Sequence, residues 1–184
     1  MIKTEIVTKR LTLRLIESTD LNSIHILHSL PKIDEFNTLG IPKNIEETKA
    51  KLKAWLADHQ LIEIKNYTFA IENTADRKFM GLFGFKIGNK KYNRAEVWYK
   101  LHTDFWNKGY ATESLNAVLT FGFETLKLHR IEAGCAVNNI ASIKVLEKVG
   151  MIREGRGRQV LPLKSGWADN FEYSILETDE RKTN

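Results

Sequence analysis

The chain has 184 residues, 42% hydrophobic and 28% charged, which places it among ordinary globular proteins with room for one domain and a sizeable core. Its formal net charge of +5 attracts polyanions without naming one, and a solvated surface with spare lysines explains it as well. A single cysteine, Cys135, excludes an internal disulfide framework, no apolar run reaches the length of a membrane span, and residues 1–5 lack a signal-peptide core, all of which suits a reducing cytoplasm.

The elements follow in order. Residues 10–16 alternate as a strand, with Leu11, Leu13 and Leu15 on one face and Thr12 and Arg14 on the other. Ser18 or Thr19 then caps a helix carrying Leu21, Ile24 and Leu27, which Pro31 stops. His25 and His28 lie on it without companions at metal-ligand spacing and read as ordinary surface or partly buried side chains. Residues 33–42 look irregular. Asn44 with Glu47 three residues later opens a second helix, on which Trp55 reads as core packing. Residues 67–72, 79–87 and 95–101 form strands separated by polar turns, the second interrupted by Gly81 and Gly84, and together they suggest an antiparallel meander.

After the third of these strands the period changes. Ala111, Leu115, Val118, Leu119, Gly122 and Leu126 recur at helical spacing. Residues 130–137 form a strand that this helix joins by a crossover, so the sheet is mixed. Asn139 caps a last helix at Ser142, and Gly150 ends it in a left-handed turn. Residues 152–161 and 167–176 make a hairpin around residues 162–166, and the tail from Glu177 is polar. This pattern predicts an α/β (α+β) single domain over residues 1–184, with a mixed, mostly antiparallel sheet of about seven strands and about four helices.

Chemistry concentrates between Glu96 and Glu113. A strand meets a loop, Trp106-Asn107-Lys108-Gly109, and then a helix whose first amides have no partner within it. Such a start, with a glycine that lets the backbone approach closely, holds a phosphate group well, and Lys108 adds charge. The loop is neither a P-loop nor a dinucleotide fingerprint, because Lys-Gly-Tyr-Ala-Thr satisfies neither spacing.

Six stretches in register make this chain similar to the GNAT superfamily of N-acetyltransferases, and most of all to its RimJ/RimL-type branch, which acetylates the N-termini of ribosomal proteins. They are Arg10-Leu11-Thr12-Leu13-Arg14, Glu96 before the loop, Trp106 to Glu113, His129-Arg130-Ile131-Glu132-Ala133, Asn139 to Ser142 with Glu147 to Gly150, and Glu154-Gly155 with Gly166-Trp167-x-Asp169. The resemblance implies a GNAT fold with a splayed parallel strand pair, acetyl-CoA as co-substrate, and direct attack by a primary amine, first of all a protein N-terminal α-amine. A polyamine, amino acid or antibiotic acceptor is the alternative within the fold, and a CoA-binding module without turnover is the alternative outside it. It implies neither a metal nor a membrane partner, and a monomer or homodimer.

The resemblance also assigns roles. Amides of Asn107, Lys108, Gly109, Tyr110, Ala111 and Thr112 would cradle the pyrophosphate. Leu101, His102 and Thr103 would pair with the pantetheine arm, and an N–H near Tyr99 or Leu101 would hold the oxyanion. Asn139 would touch that arm, Ser142 would sit near the sulfur, and Glu96 would act as base through water. Each has a plainer role available. Asn139 and Ser142 cap a helix, Glu96 can pair with Lys100 on its strand face, Tyr99 and Tyr110 can be packing, and Cys135 reads as a small buried hydrophobe rather than a nucleophile. Trp98 and Lys100 stand where the family usually has glycine and an aromatic, which bears on the shape of the acceptor slot. Arg153, Arg156 and Arg158 alternate with other residues in a run too short, and without stacking aromatics, for RNA recognition.

Overall fold

A computed structural model of the chain describes residues 5–181. Eight strands form one mixed sheet in the order β1-β2-β3-β4-β5-β6-β8-β7. β1 (Ile6–Val7), β2 (Leu11–Leu15), β3 (Asn66–Asn73), β4 (Phe79–Ile87) and β5 (Arg94–Leu101) run antiparallel in succession. β6 (Arg130–Ala136) lies parallel to β5, and β7 (Ile152–Leu163) and β8 (Gly166–Leu176) complete the sheet as a hairpin with β8 inside. The α-helices are α1 (Leu21–Ser29), α2 (Pro31–Asp34), α3 (Ile45–His59), α4 (Tyr110–Thr120) and α5 (Ile140–Lys148).

Helices cover both faces. Under α4 and α5 the core holds Phe69, Phe83, Phe85, Leu115, Ile131 and Tyr173. Under α1 and α3 a smaller cluster holds Ile24, Leu27, Leu52, Ala70 and Leu82. The second layer corrects the reading of β2. Thr12 is buried, and Arg14 is tied to Asp20 at 2.7 Å and Glu72 at 2.6 Å rather than facing water.

Other differences have local causes. The sheet has eight strands, not seven, because the two-residue β1 pairs Ile6 with Leu13 and is too short to show a period. Pro31 does end α1, but it also opens the single turn of α2, since proline suits a first helical position. α4 stops at Thr120 and passes into a π turn over Phe121–Thr125. The wider turn brings both Phe121 and Phe123 inward, which a 3.6-residue period does not. Pro162 lies within β7, where an edge strand tolerates the missing N–H. Gly81 and Gly84 do not interrupt β4, which pairs throughout with β5.

α1 is not capped by Ser18 or Thr19, which lie in a 3-10 turn closed by Glu17 and Asp20, with Asp20 preceding the helix; the other caps fall where expected. Asn44 accepts from Glu47 N at 3.1 Å, Asn139 accepts from Ser142 N at 3.1 Å, and Gly150 takes φ 95°. Together they fix where α3 and α5 begin and where α5 ends.

Candidate active site

β5 and β6 pair in parallel from Arg94 opposite Arg130 to Val97 opposite Ala133, and no further. Beyond that point β5 runs on with β4 to Leu101, while β6 runs on with β8 to Ala136. A cavity of about 970 Å³ opens in the fork. Its walls are Val97 to Leu101, Ala133 to Ala136, and the starts of α4 and α5, and it continues past α2 and α3.

The edge of β5 facing this gap is set by strand alternation. His102 N–H donates to Met80 O at 2.8 Å, so the amides of Trp98 and Lys100 also point to β4. Those of Tyr99 and Leu101 point the other way, past the end of the β6 ladder. The Leu101 carbonyl accepts from Trp106 Nε1 at 2.7 Å. Two N–H groups therefore face the fork with no strand to receive them.

At one end of the fork, the loop before α4 is held in a particular shape. Asn107 and Gly109 both take left-handed backbone, φ 58° and 78°. Arg10, from the residue before β2, reaches across to donate to Lys108 O at 3.1 Å, pairs with Glu113 at 2.6 Å, and lies 4.4 Å over the Tyr110 ring. Burial works against the Glu113 carboxylate, but hydrogen bonds from Thr8 and Arg10 hold it below the usual carboxylate range. The first intrahelical bond runs from Glu113 N to Gly109 O at 3.0 Å, which leaves the N–H groups of Tyr110, Ala111 and Thr112 free among the described residues. These amides and the shallow backbone at Gly109 fit a pyrophosphate. Lys108 does not line the cavity; its ammonium donates to Asp104 O at 2.8 Å.

In the middle of the fork, Tyr99 Oη and Ser142 Oγ are 2.9 Å apart. The Tyr99 ring stacks on Phe83 at 5.8 Å, and burial raises its hydroxyl above the ordinary phenol range despite the Ser142 contact. Burial likewise pushes the Cys135 thiol up to about 11, so this buried side chain is a poor nucleophile.

On the opposite face of β5 stand Glu96, Trp98 and Lys100. Trp98 meets Trp55 of α3 at 6.0 Å between ring centroids, and Trp55 meets His28 at 6.0 Å edge to face. Trp55 is thus both packing and cavity wall. Buried His28 is driven to about 4 by burial and by neighbouring Lys100 and Lys51, so its ring is neutral.

Of the residues singled out in the sequence, Leu101, Asn107, Gly109, Tyr110, Ala111, Thr112, Asn139 and Ser142 meet in the cavity wall. Glu96, His102, Thr103 and Lys108 lie outside it. Glu96 is exposed and sits where β5 is still paired with β6, opposite Glu132, before the fork opens. His102 and Thr103 sit where β5 turns away, with His102 Nδ1 accepting from Asp104 N at 3.3 Å. Sequence reasoning missed the Arg10 brace and the Tyr99 hydroxyl. The first had a signal, the arginine opening the Arg-Leu-x-Leu-Arg strand. Among the described residues no cluster of His, Cys, Asp and Glu has metal-binding geometry, and no helix is long and apolar enough to cross a membrane.

A family model described as an acetyltransferase (GNAT) domain matches residues 10–152. The uncharacterized N-acetyltransferase YnaD of Bacillus subtilis is 31% identical over 95% of this chain and 98% of its own length. An acetyltransferase (GNAT family) structure from Bacillus anthracis superposes with a TM-score of 0.83 at 29% identity, covering 95% of this chain and 99% of that one. Spermidine N-acetyltransferase from Vibrio cholerae, solved in complex with CoA and spermine, superposes with a TM-score of 0.82 at 24% identity over 93% of this chain and 98% of that one.

Proposed function

The chain belongs to the acetyltransferase (GNAT) domain family, and from that membership we propose that it moves the acetyl group of acetyl-CoA to an α-amine, first of all a protein N-terminus of the kind served by RimJ/RimL-type enzymes. That it is an N-acetyltransferase of GNAT type using acetyl-CoA follows from the family; the acceptor and the residue roles are our reading. A reducing cytoplasm, where acetyl-CoA and newly made N-termini meet, suits this activity and the lone thiol.

One observation carries the reading. The strand fork presents unpaired N–H groups of Tyr99 and Leu101 between a helix start with free amides and a hydroxyl pair. The amides of Tyr110, Ala111 and Thr112, with Asn107 and Gly109, would hold the pyrophosphate. Asn139 and the Leu101 N–H would line the pantetheine arm. Bound acetyl-CoA supplies the activated acetyl group. The Tyr99 N–H then stabilises the negative charge that develops on the thioester oxygen as the amine attacks. The Tyr99 hydroxyl, kept protonated by burial and linked to Ser142, donates a proton to the departing thiolate.

Among the described residues the cavity wall carries one carboxylate, Glu35 at the acceptor end beside lysines, and Glu96 would reach the amine's proton only through water. An α-amine, with a reference pKa near 8, is already partly neutral at neutral pH and needs little help, whereas polyamine amines lie nearer 10. The charges agree, because the acceptor end is lined by Lys32, Lys51 and Lys100 against Glu35. The test offers acetyl-CoA with peptides beginning in Ser or Ala and with spermidine at equal concentration, reading released thiol. A peptide should be the better acceptor, and a hundredfold preference for spermidine would overturn the α-amine reading while leaving acetyl transfer intact.

A further inference from the structure

Acetyl transfer leaves one feature of the cavity unused. The Lys100 side chain rises from β5 with its ammonium 5.9 Å from the Trp98 ring centroid, and its Nζ is buried without a hydrogen-bond partner. Lys51 stands one turn before Trp55 on α3, and both line the same cavity as Trp98 and Lys100. The Lys100 ammonium thus lies over the Trp98 side of an aromatic wall made by Trp55 and Trp98, and the exposed Lys51 lines the same cavity. A buried ammonium without a hydrogen-bond partner is penalised, and the positive charge of nearby Lys51 adds to the cost. Asp34 of α2 attracts Lys100, but its own Oδ1 is also buried without a partner, so the two have not closed into a hydrogen-bonded pair. An anion beside Lys100 would lower that cost.

Resting on the acetyl-transfer reading, we infer that the acceptor end of the cavity selects an α-amine with a carboxylate close to it, held by Lys100 and Lys51 against the Trp55–Trp98 wall. Lys100 directly follows Tyr99, whose N–H faces the reacting carbonyl, and its side chain projects from the opposite face of the strand. An anion held there lies a short way from the attacking nitrogen. Two acceptors share this chemistry: a free α-amino acid, and a peptide whose first side chain is acidic. A polyamine offers the reverse charge and meets three lysines.

The groups facing Lys100 are Asp34 from α2, Lys51 from α3 and neutral His28 from α1. Burial draws Lys100 down to about 8, against the pull of Asp34. The clamp therefore works below that pH and weakens as Lys100 loses its proton above it.

The experiment compares matched acceptors with saturating acetyl-CoA. One pair is L-phenylalanine and L-phenylalaninamide; the other is a peptide beginning with Glu and its counterpart beginning with Gln. At pH 7 the acid member of at least one pair should show a tenfold or greater advantage in kcat/KM, expressed in KM, and the pair that shows it identifies the source of the carboxylate. The advantage should shrink between pH 7 and 9. Lys100→Met should lose it, Lys100→Arg should keep most of it, and both should bind acetyl-CoA by calorimetry as the parent does. Equal kcat/KM within both pairs, or an acid preference that survives Lys100→Met, would overturn the clamp. Thiol release with no amine at all, spermidine and Ser or Ala peptides included, would overturn acetyl transfer and the clamp with it.

Discussion

Gly84 and Trp98 face each other across β4 and β5, and the Trp98 indole fills the space a side chain on Gly84 would need. A Cβ there would stand 1.9 Å from Trp98 Cε2. The glycine is thus the condition for an aromatic wall beside the fork. Gly84→Ala should push the indole away, cost ~1–3 kcal/mol by overpacking, and raise KM for the acceptor with little change in acetyl-CoA affinity. Urea unfolding and calorimetry separate the effects; an unaltered acceptor KM would detach Trp98 from the slot.

Arg10 braces the loop before α4 from a strand far away in the chain, through Lys108 O and Glu113. Arg10→Met should weaken acetyl-CoA binding about tenfold, ~1.4 kcal/mol, by loosening a cradle the chain otherwise holds ready. Gly109→Glu should abolish it, since a side chain at φ 78° is strained by ~1–2 kcal/mol and its charge repels phosphate. Wild-type affinity in Gly109→Glu would remove this loop from the site.

Proton transfers separate the two faces of β5. Tyr99→Phe and Ser142→Ala should each lower kcat on the order of tenfold to a hundredfold with KM nearly constant, and the double variant should lose less than the product, because they share one hydrogen bond. Glu96→Gln should lose less than about tenfold, because its carboxylate is exposed before the fork opens and a well-placed general base contributes about a hundredfold or more. A loss in that larger range, with a changed acidic limb, would put Glu96 in the proton path.

His28 makes stability depend on pH. Its ring stays neutral in the fold down to about 4, against 6.5 for the ordinary group, because it is buried beside Lys100 and Lys51. The unfolded chain takes up the proton first as pH falls. The contribution is therefore whole above pH 6.5 and is lost progressively toward pH 4, by up to ~3 kcal/mol. Denaturant titrations between pH 7 and 4 should show His28→Phe less acid-sensitive than the parent; parallel curves would refute the assignment.

Some of this was legible along the chain and some was not. The corner at residues 106–113 could be read because everything it needs is local: a glycine, a loop and a change of period. The caps at Asn44 and Asn139 were local too. The Arg10–Glu113 tie joins two distant strand and helix ends, and no spacing rule connects them. Alternation along β5 places Glu96, Trp98 and Lys100 on one face but does not say that α1 and α3 cover part of it. That is why Lys100 looked like a surface partner for Glu96 and proved half-buried with its Nζ out of solvent, while Glu96 stayed exposed. Trp98 could be read only as a change in the shape of the slot for the same reason: its complement, Gly84, lies on another strand.

The fork also divides the sheet into two rafts. β1 to β5 build one from successive antiparallel pairings, β6 to β8 build the other, and the seam between them is stitched by only the four residue pairs from Arg94 to Val97. A ligand arm lying along the open edge of β5, as proposed for acetyl-CoA, would complete the seam with backbone bonds the chain cannot make by itself. Binding would then be a structural act: the amides of Tyr99 and Leu101, without a strand partner before it, would become protected, and the two rafts would gain a common strand. On that reading the catalyst is at its most cohesive while loaded, and each release of product would reopen its own sheet.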